Sequence, residues 1–282
     1  MNRVAWIDFA KALAILGVIA VHVSQVVPLP QWAHLAASFG AMGVQLFFLL
    51  SAYCLCMTWK DGALDWRWWW RKYMRLALWY LAGIVLYGAY HAFADDGRTA
   101  DYTFWNVAAN MFMVNGFIPS AQNTIVPGGW SISCIALFVF AYPALRRLRM
   151  RTLLAAGAAG CALSAAGYLW LGWSRFYAYC SPINQFIVFA FGVCLYKLRE
   201  RIGMRVAVLM AVVFFVMAVA AVVFCREYNI FYRHVLMALS FFGLAVVIMR
   251  CNCKWGGGYY GLADIPTKYS YCTSLQYGAR KD

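Results

Sequence analysis

The stretch KALAILGVIAVH, residues 11–22, is an apolar helix-like run with a cation at one end and a histidine at the other. On an α-helix, eleven residues make about three turns, so Lys11 and His22 fall within about 20° of one face and roughly 16 Å apart along the axis. Asp8 lies three residues before Lys11 on the same stripe and is placed to pair with it. The bland reading is that Lys11 snorkels to a headgroup region and His22 caps the far end near the interface. The functional reading starts from the cost of ionisable groups in lipid, which makes a polar stripe facing a helix bundle a site candidate. Histidine is also the side chain best suited to take and return a proton near neutral pH.

Composition sets the class around this helix. The 282 residues are 65% hydrophobic and 12% charged, whereas a soluble domain carries roughly 25% charged residues. A membrane-crossing helix needs about 20 mostly apolar residues. Segments near 9–27, 40–58, 76–93, 129–145, 152–171, 182–198, 206–224 and 231–249 approach that pattern. The expected fold is therefore all-α, a polytopic transmembrane helix bundle of about eight spans. Residues 104–118, FWNVAANMFMVNGFI, are shorter and carry three Asn, and they read as an interfacial or re-entrant helix.

The basic residues support this map. With the N-terminus cytoplasmic and eight spans, the inside segments hold 20 of the 24 Lys and Arg; Arg98, Arg175, Arg226 and Arg233 fall outside. Asp95, Asp96 and Asp101 cluster in an outside loop. Short cytoplasmic loops collect Lys and Arg, so both termini are expected in the cytoplasm and the net charge of +14 needs no nucleic acid. The first helix resembles a signal peptide in its basic start. However, Asp8 and Lys11 interrupt that start and HVSQVVPLP, residues 22–30, offers no A-x-A-like cleavage site, so it reads as a retained span. The ten cysteines include C-x-C pairs at Cys54/Cys56 and Cys251/Cys253 but no zinc-type spacing. His34, His91 and His234 are expected to be solvated histidines near the outer interface, and no metal site is expected. Trp68, Trp69 and Trp70 fit an aromatic membrane belt.

Several motifs then occur in order. The first helix, RVAWIDFAKALAILGVIAVHVS, resembles that of the membrane acyltransferase 3 family, whose mark is a basic residue, ten residues and a histidine; Lys11 and His22 fit. GVQLFFLLSAYCL, residues 43–55, resembles the family's G-V-x-x-F-F-x-x-S-G-[YF] stretch, with Ala52 in place of the usual Gly. WWRKYMRLALWY, residues 69–80, resembles its R-R-x-x-R pattern through Arg71, Lys72 and Arg75. GGWSISCIALFVFAYPAL, residues 128–145, resembles its W-S-L-x-x-E-x-x-F-Y-x-x-x-P helix, matching at Trp130, Ser131, Phe138 and Pro143, with Ile135 where many members have Glu. QFIVFAFGVCLYKL, residues 185–198, resembles its F-x-x-G helix. The resemblance covers about residues 1–200.

The resemblance implies a bacterial inner-membrane enzyme that moves an acyl group, most often acetyl, from acyl-CoA to a hydroxyl of a surface or lipid-linked glycan. His22 would be the catalytic base or a transient acyl carrier. Lys11 would orient the anionic donor, and Arg71, Lys72 and Arg75 would hold its phosphates, for which Arg offers bidentate geometry. Plain positive-inside topology is the alternative for these three. Asp8, Ser51 and Trp130 would support the site. Ser51 either bonds a neighbouring backbone or faces the pocket, and Trp130 and Tyr53 suit packing better than chemistry. No bound cofactor is expected; acyl-CoA is a substrate, and the partners are the glycan acceptor and the bilayer.

Residues 1–250 form the expected acyltransferase-like unit, and 251–282 an atypical polar, Gly-rich tail where family members usually have about two further spans. Truncation, a natural short form and a shifted reading frame are all open, so an inactive relative is the alternative to an active enzyme. A non-enzymatic transporter-like protein is a further alternative, but such proteins show inverted repeats and matching broken helices, which are not evident.

Overall fold

The computed structural model describes residues 5–59, 66–94, 97–224 and 229–255. It is all-helical among these residues: α1 (Ala5–Ser24), α2 (Gln31–Phe39), α3 (Gly43–Thr58), α4 (Trp66–Ala94), α5 (Phe104–Met111), α6 (Trp130–Leu145), α7 (Met150–Trp170), α8 (Arg175–Cys180), α9 (Pro182–Leu198), α10 (Met204–Phe224) and α11 (Asn229–Trp255). Among the described residues, seven helical segments are long and apolar enough to cross a membrane, and α6, at 16 residues, is a shorter eighth. The expected spans thus all appear as helices. Their bounds move where aromatic and basic residues mask the apolar pattern. α4 starts at Trp66, ten residues before the expected 76, and carries Arg71, Lys72 and Arg75 within its first three turns.

The bundle is organised on α3 and α9, which pack on each other; α1, α6 and α11 also lean on α3, and α7 lies along α9. The three ring side chains of Phe48, Phe138 and Phe189 are buried at this junction, with Phe138 4.6 Å from Phe189 and 5.9 Å from Phe48 between centroids. A buried amide pair bolts α3 to α9: Gln45 Nε2 donates to Gln185 Oε1 at 3.1 Å and to the Tyr179 hydroxyl at 3.0 Å. In lipid such pairs satisfy polar groups that nothing else would. Ser181 caps α9, accepting from the Ile183 N–H, and Pro182 takes the first helical position, where its missing N–H costs nothing. Pro143 sits in the last turn of α6, and the helix ends two residues later.

Helix α1 is held to α3, and to the 3-10 turn Gly40–Met42 that leads into it, by missing side chains. A Cβ on Gly17 would lie 3.2 Å from Gly40 Cα, and one on Gly43 would run into the carbonyl oxygen of Ala14. Small residues let membrane helices approach closely, which replaces the hydrophobic drive that lipid does not supply.

Residues 104–118 do not form one helix. The eight-residue α5 ends at Met111, Met113 adopts a positive φ of 55°, and a 3-10 turn follows at Asn115–Phe117. At roughly 12 Å, α5 is too short to span. Helix α11 continues to Trp255, five residues into the expected tail; the rest of that segment, residues 256–282, lies outside the described residues.

Gly43→Val should push α1 off α3. Overpacking of this kind costs roughly 1–3 kcal/mol, read as a lower melting temperature of the detergent-solubilised protein. An unchanged melting temperature would mean that α1 is not held by this contact.

Candidate active site

Helix α1 is unbroken from Ala5 to Ser24, so Lys11 and His22 stay on one stripe about three turns apart. Each end meets a different set of groups.

At the Lys11 end, the side chain turns inward. Lys11 is half-buried; its Nζ lies 3.7 Å from Cys54 Sγ and 5.5 Å from the centre of the Phe47 ring. Asp8 is exposed, and the ammonium group is directed to α3 instead of to its carboxylate. From the other side, Lys72 Nζ donates to Thr58 Oγ1 at 3.5 Å and lies 5.7 Å from the Trp68 ring centre. Cys54 and Thr58 are four residues apart, so Lys11 and Lys72 approach the same face of the last turns of α3. Arg71 and Arg75 are exposed on α4. Arg146, at the end of α6, places its guanidinium 5.3 Å over the Trp59 ring, which meets Trp68 edge-on at 4.7 Å. Helices α1, α4 and α6 therefore bring cations to one end of the bundle, around the end of α3. The sequence reading puts both groups on the cytoplasmic side; the fold brings Lys11 and Lys72 to one face of α3.

At the His22 end, the imidazole is exposed and faces the loop that leads into α6. A Cβ on Gly128 would lie 3.9 Å from His22 Nε2. Gly128 has φ +80°, a conformation that L side chains avoid. Its N–H donates to Asn123 Oδ1 at 2.7 Å, and its carbonyl accepts from Ser131 Oγ at 2.8 Å. Behind this loop lies a polar scaffold. The Tyr80 hydroxyl donates to Asn110 Oδ1 at 2.6 Å, Ser133 Oγ bonds Asn115 Oδ1, and Asn115 Nδ2 donates to the Gln122 carbonyl at 3.4 Å. Asn110, Asn115, Gln122 and Ser133 are all buried. A Cβ on Gly129 would collide with the Tyr80 hydroxyl, so this scaffold fits the glycine loop closely. These scaffold residues were not singled out from the sequence; the three Asn of an otherwise apolar segment were their signal.

The remaining expected residues are placed as follows. Trp130 is buried and packs edge-on against Phe48 at 6.1 Å and Tyr179 at 6.0 Å, as a packing residue does. Ser51 is half-buried and shares with Ile135 a cavity of about 10 Å³, room for one water at most. Ile135 thus fills the position facing Ser51 with an aliphatic side chain. Tyr53 donates to Met249 Sδ at 3.4 Å and stacks edge-on with Trp6 and Tyr196.

Two histidines differ from the expectation of solvated interfacial groups. His91 and His234 are 3% and 0% exposed. His91 sits among the rings of Tyr87, Tyr90 and Tyr102, and His234 Nε2 lies 3.9 Å from Cys161 Sγ. Both lie on helix faces turned into the bundle, where aromatic and sulfur neighbours replace water. His34 is exposed, as expected.

No curated protein and no solved structure matches the chain. A family model does: the acyltransferase domain of the acyltransferase 3 family matches residues 4–273. The match extends past the 1–200 stretch that carries the motifs and into the segment read as a tail. With its multiple apolar helices, the chain is a multi-pass membrane protein, and it belongs to the acyltransferase 3 family.

Proposed function

We propose that this protein takes an acyl group, acetyl in the first instance, from acyl-CoA and transfers it to a hydroxyl of a cell-surface or lipid-linked glycan at the bacterial inner membrane. With both ends of the chain read as cytoplasmic from the distribution of Lys and Arg, the Lys11 end of the bundle faces the nucleotide donor and the His22 end faces the glycan. The observation that carries this reading is the single α1 stripe with Lys11 among other cations at one end and an exposed His22 at the other.

Long-range attraction of the CoA phosphates falls to Lys11, Arg71, Lys72 and Arg75. Two arginines at i and i+4 offer paired planar forks, which suit phosphate oxygens better than ammonium groups do. The extended pantetheine arm then runs along α1 and carries the thioester toward His22, a depth of roughly 16 Å. There the glycan hydroxyl attacks the thioester carbonyl. His22 takes the hydroxyl proton as the new C–O bond forms and returns it to the sulfur as the C–S bond breaks, leaving an ester and CoA thiol. The Gly128–Gly129 loop gives the imidazole and its substrates an approach with no side chain in the way, and the Tyr80–Asn110 and Asn115–Ser133 pairs hold that loop. Asp8, exposed on the same helix, adds no contact to Lys11, and Ser51 and Trp130 support the packing of α3 and α6.

A second reading, a family member without transfer activity, is favoured by Ile135, which is buried where many members carry Glu. Expression in a strain lacking surface O-acetylation separates the two: alkali-labile acetyl esters on the glycans, read by mass spectrometry, are expected from the active enzyme and absent from the inactive relative.

His22→Ala should lower transfer about 10²- to 10⁴-fold, the range for loss of a general base, with unchanged protein level in the membrane. Lys11→Arg should keep more activity than Lys11→Ala. Parental transfer by His22→Ala would reduce His22 to an interfacial side chain.

Neutralising Arg71 and Arg75 together, as Arg71→Gln/Arg75→Gln, should weaken acetyl-CoA binding while membrane insertion persists. Equal affinity in a direct binding titration would return both residues to topology alone.

A further inference from the structure

On the α4 turns that carry the cation cluster, a cleft of about 310 Å³ opens between the first three turns of α4 and the middle of α6. Its walls include Trp66, Trp69, Trp70, Tyr73, Val139 and Phe140. The rings are aligned. Trp66 and Trp70 lie 28° from parallel at 6.1 Å, Trp70 and Tyr73 23° at 6.2 Å, and Trp69 and Phe140 29° at 4.7 Å. Trp66 and Trp70 remain 66% and 51% exposed, so each keeps ring surface that its stacked neighbour does not cover. Arg71 and Lys72 follow Trp70 directly on the same helix, within one turn of both Trp69 and Trp70, and Arg75 lies within two turns.

We infer that this cleft seats the adenine ring of the CoA donor. The inference rests on the reading that acyl-CoA is the donor and that Arg71, Lys72 and Arg75 take its phosphates. CoA has a planar base on one side of its phosphates and the pantetheine arm on the other. Once the phosphates sit on the α4 cations, the two ends must leave in different directions. The arm is committed to the path by Lys11 and Phe47, along α1 toward His22. The direction left runs around α4, about 100° from Arg71 to Trp70 at the edge of the aromatic cleft. Near-parallel, open ring faces accept a planar base by stacking, and adjacent Arg groups add to it. The acyl end of the donor does not fit here, because it must reach His22 at the opposite end of α1. The competing occupant is the chain of a membrane lipid, which an apolar cleft also accepts.

The test uses the full-length protein in lipid nanodiscs with three probes: acetyl-CoA, adenosine 3′,5′-bisphosphate and acetyl-4′-phosphopantetheine. Trp66→Leu/Trp70→Leu keeps apolar bulk but removes the flat faces. It should weaken acetyl-CoA and adenosine 3′,5′-bisphosphate about ten-fold, within the range for loss of one stacked base, and leave acetyl-4′-phosphopantetheine unchanged. Trp66→Phe/Trp70→Phe should restore most of the loss, which separates ring stacking from damage to the fold. If the leucine variant binds adenosine 3′,5′-bisphosphate as the parent does, the inference is overturned and the cleft belongs to lipid, while the donor reading stands. If the parent binds acetyl-CoA no more tightly than acetyl-4′-phosphopantetheine, the base contributes nothing and the inference again falls. A parent that binds no acetyl-CoA at all overturns the donor reading itself, and the inference with it.

Discussion

The close approach of α1 to α3 is the contact on which the arrangement depends. Gly17 lies against Gly40, and Gly43 against Ala14, with no room for a Cβ at either crossing. Inside lipid, apolar side chains gain little by leaving one hydrocarbon for another, so backbone proximity and packing must hold helices together. The two crossings fix both the depth and the rotation of α1. They turn Lys11 onto the Cys54 face of α3 and leave His22 beside Gly128. A small rotation of α1 would move both ends of the stripe at once, because they share one rigid helix.

The two ends solve different physical problems. Cations are tolerable near a membrane surface when long stems reach outward or lie over aromatic rings, and Lys11, Lys72 and Arg146 each do the latter with Phe47, Trp68 and Trp59. The His22 end uses short amide and hydroxyl side chains instead. Asn110, Asn115 and Ser133 are buried but bonded, so a glycine loop with positive φ at Gly128 can be held without charged groups. Such bonds cost little when complete and much when broken, which ties the shape of the loop to the packing of α4 against α6.

Much of this was readable in the sequence because hydropathy reports burial in lipid one helix at a time. The Lys11–His22 spacing and the long apolar runs needed no tertiary knowledge. The start of α4 was not readable, since Trp66 to Arg75 alternates aromatic rings with cations and dilutes the apolar signal. The meeting of Lys11 with Lys72 was hidden for another reason: it passes through Thr58 and Cys54 on a third helix. His91 and His234 read as interfacial from their positions along the chain, but the rotation of each helix, which the sequence does not state, turns them inward. The break within 104–118 follows from its three Asn, each of which bonds a group outside a regular helix ladder or at its edge.

The central claim is directional: the donor is held at the Lys11 end and the acyl group leaves at the His22 end. The most direct measurement supplies radiolabelled acetyl-CoA, which does not cross membranes, to sealed inside-out and right-side-out vesicles from cells making this protein. The account predicts labelled glycan only when the donor reaches the cytoplasmic face, in the inside-out vesicles. Labelling of right-side-out vesicles alone, with the donor at the opposite face, would contradict it.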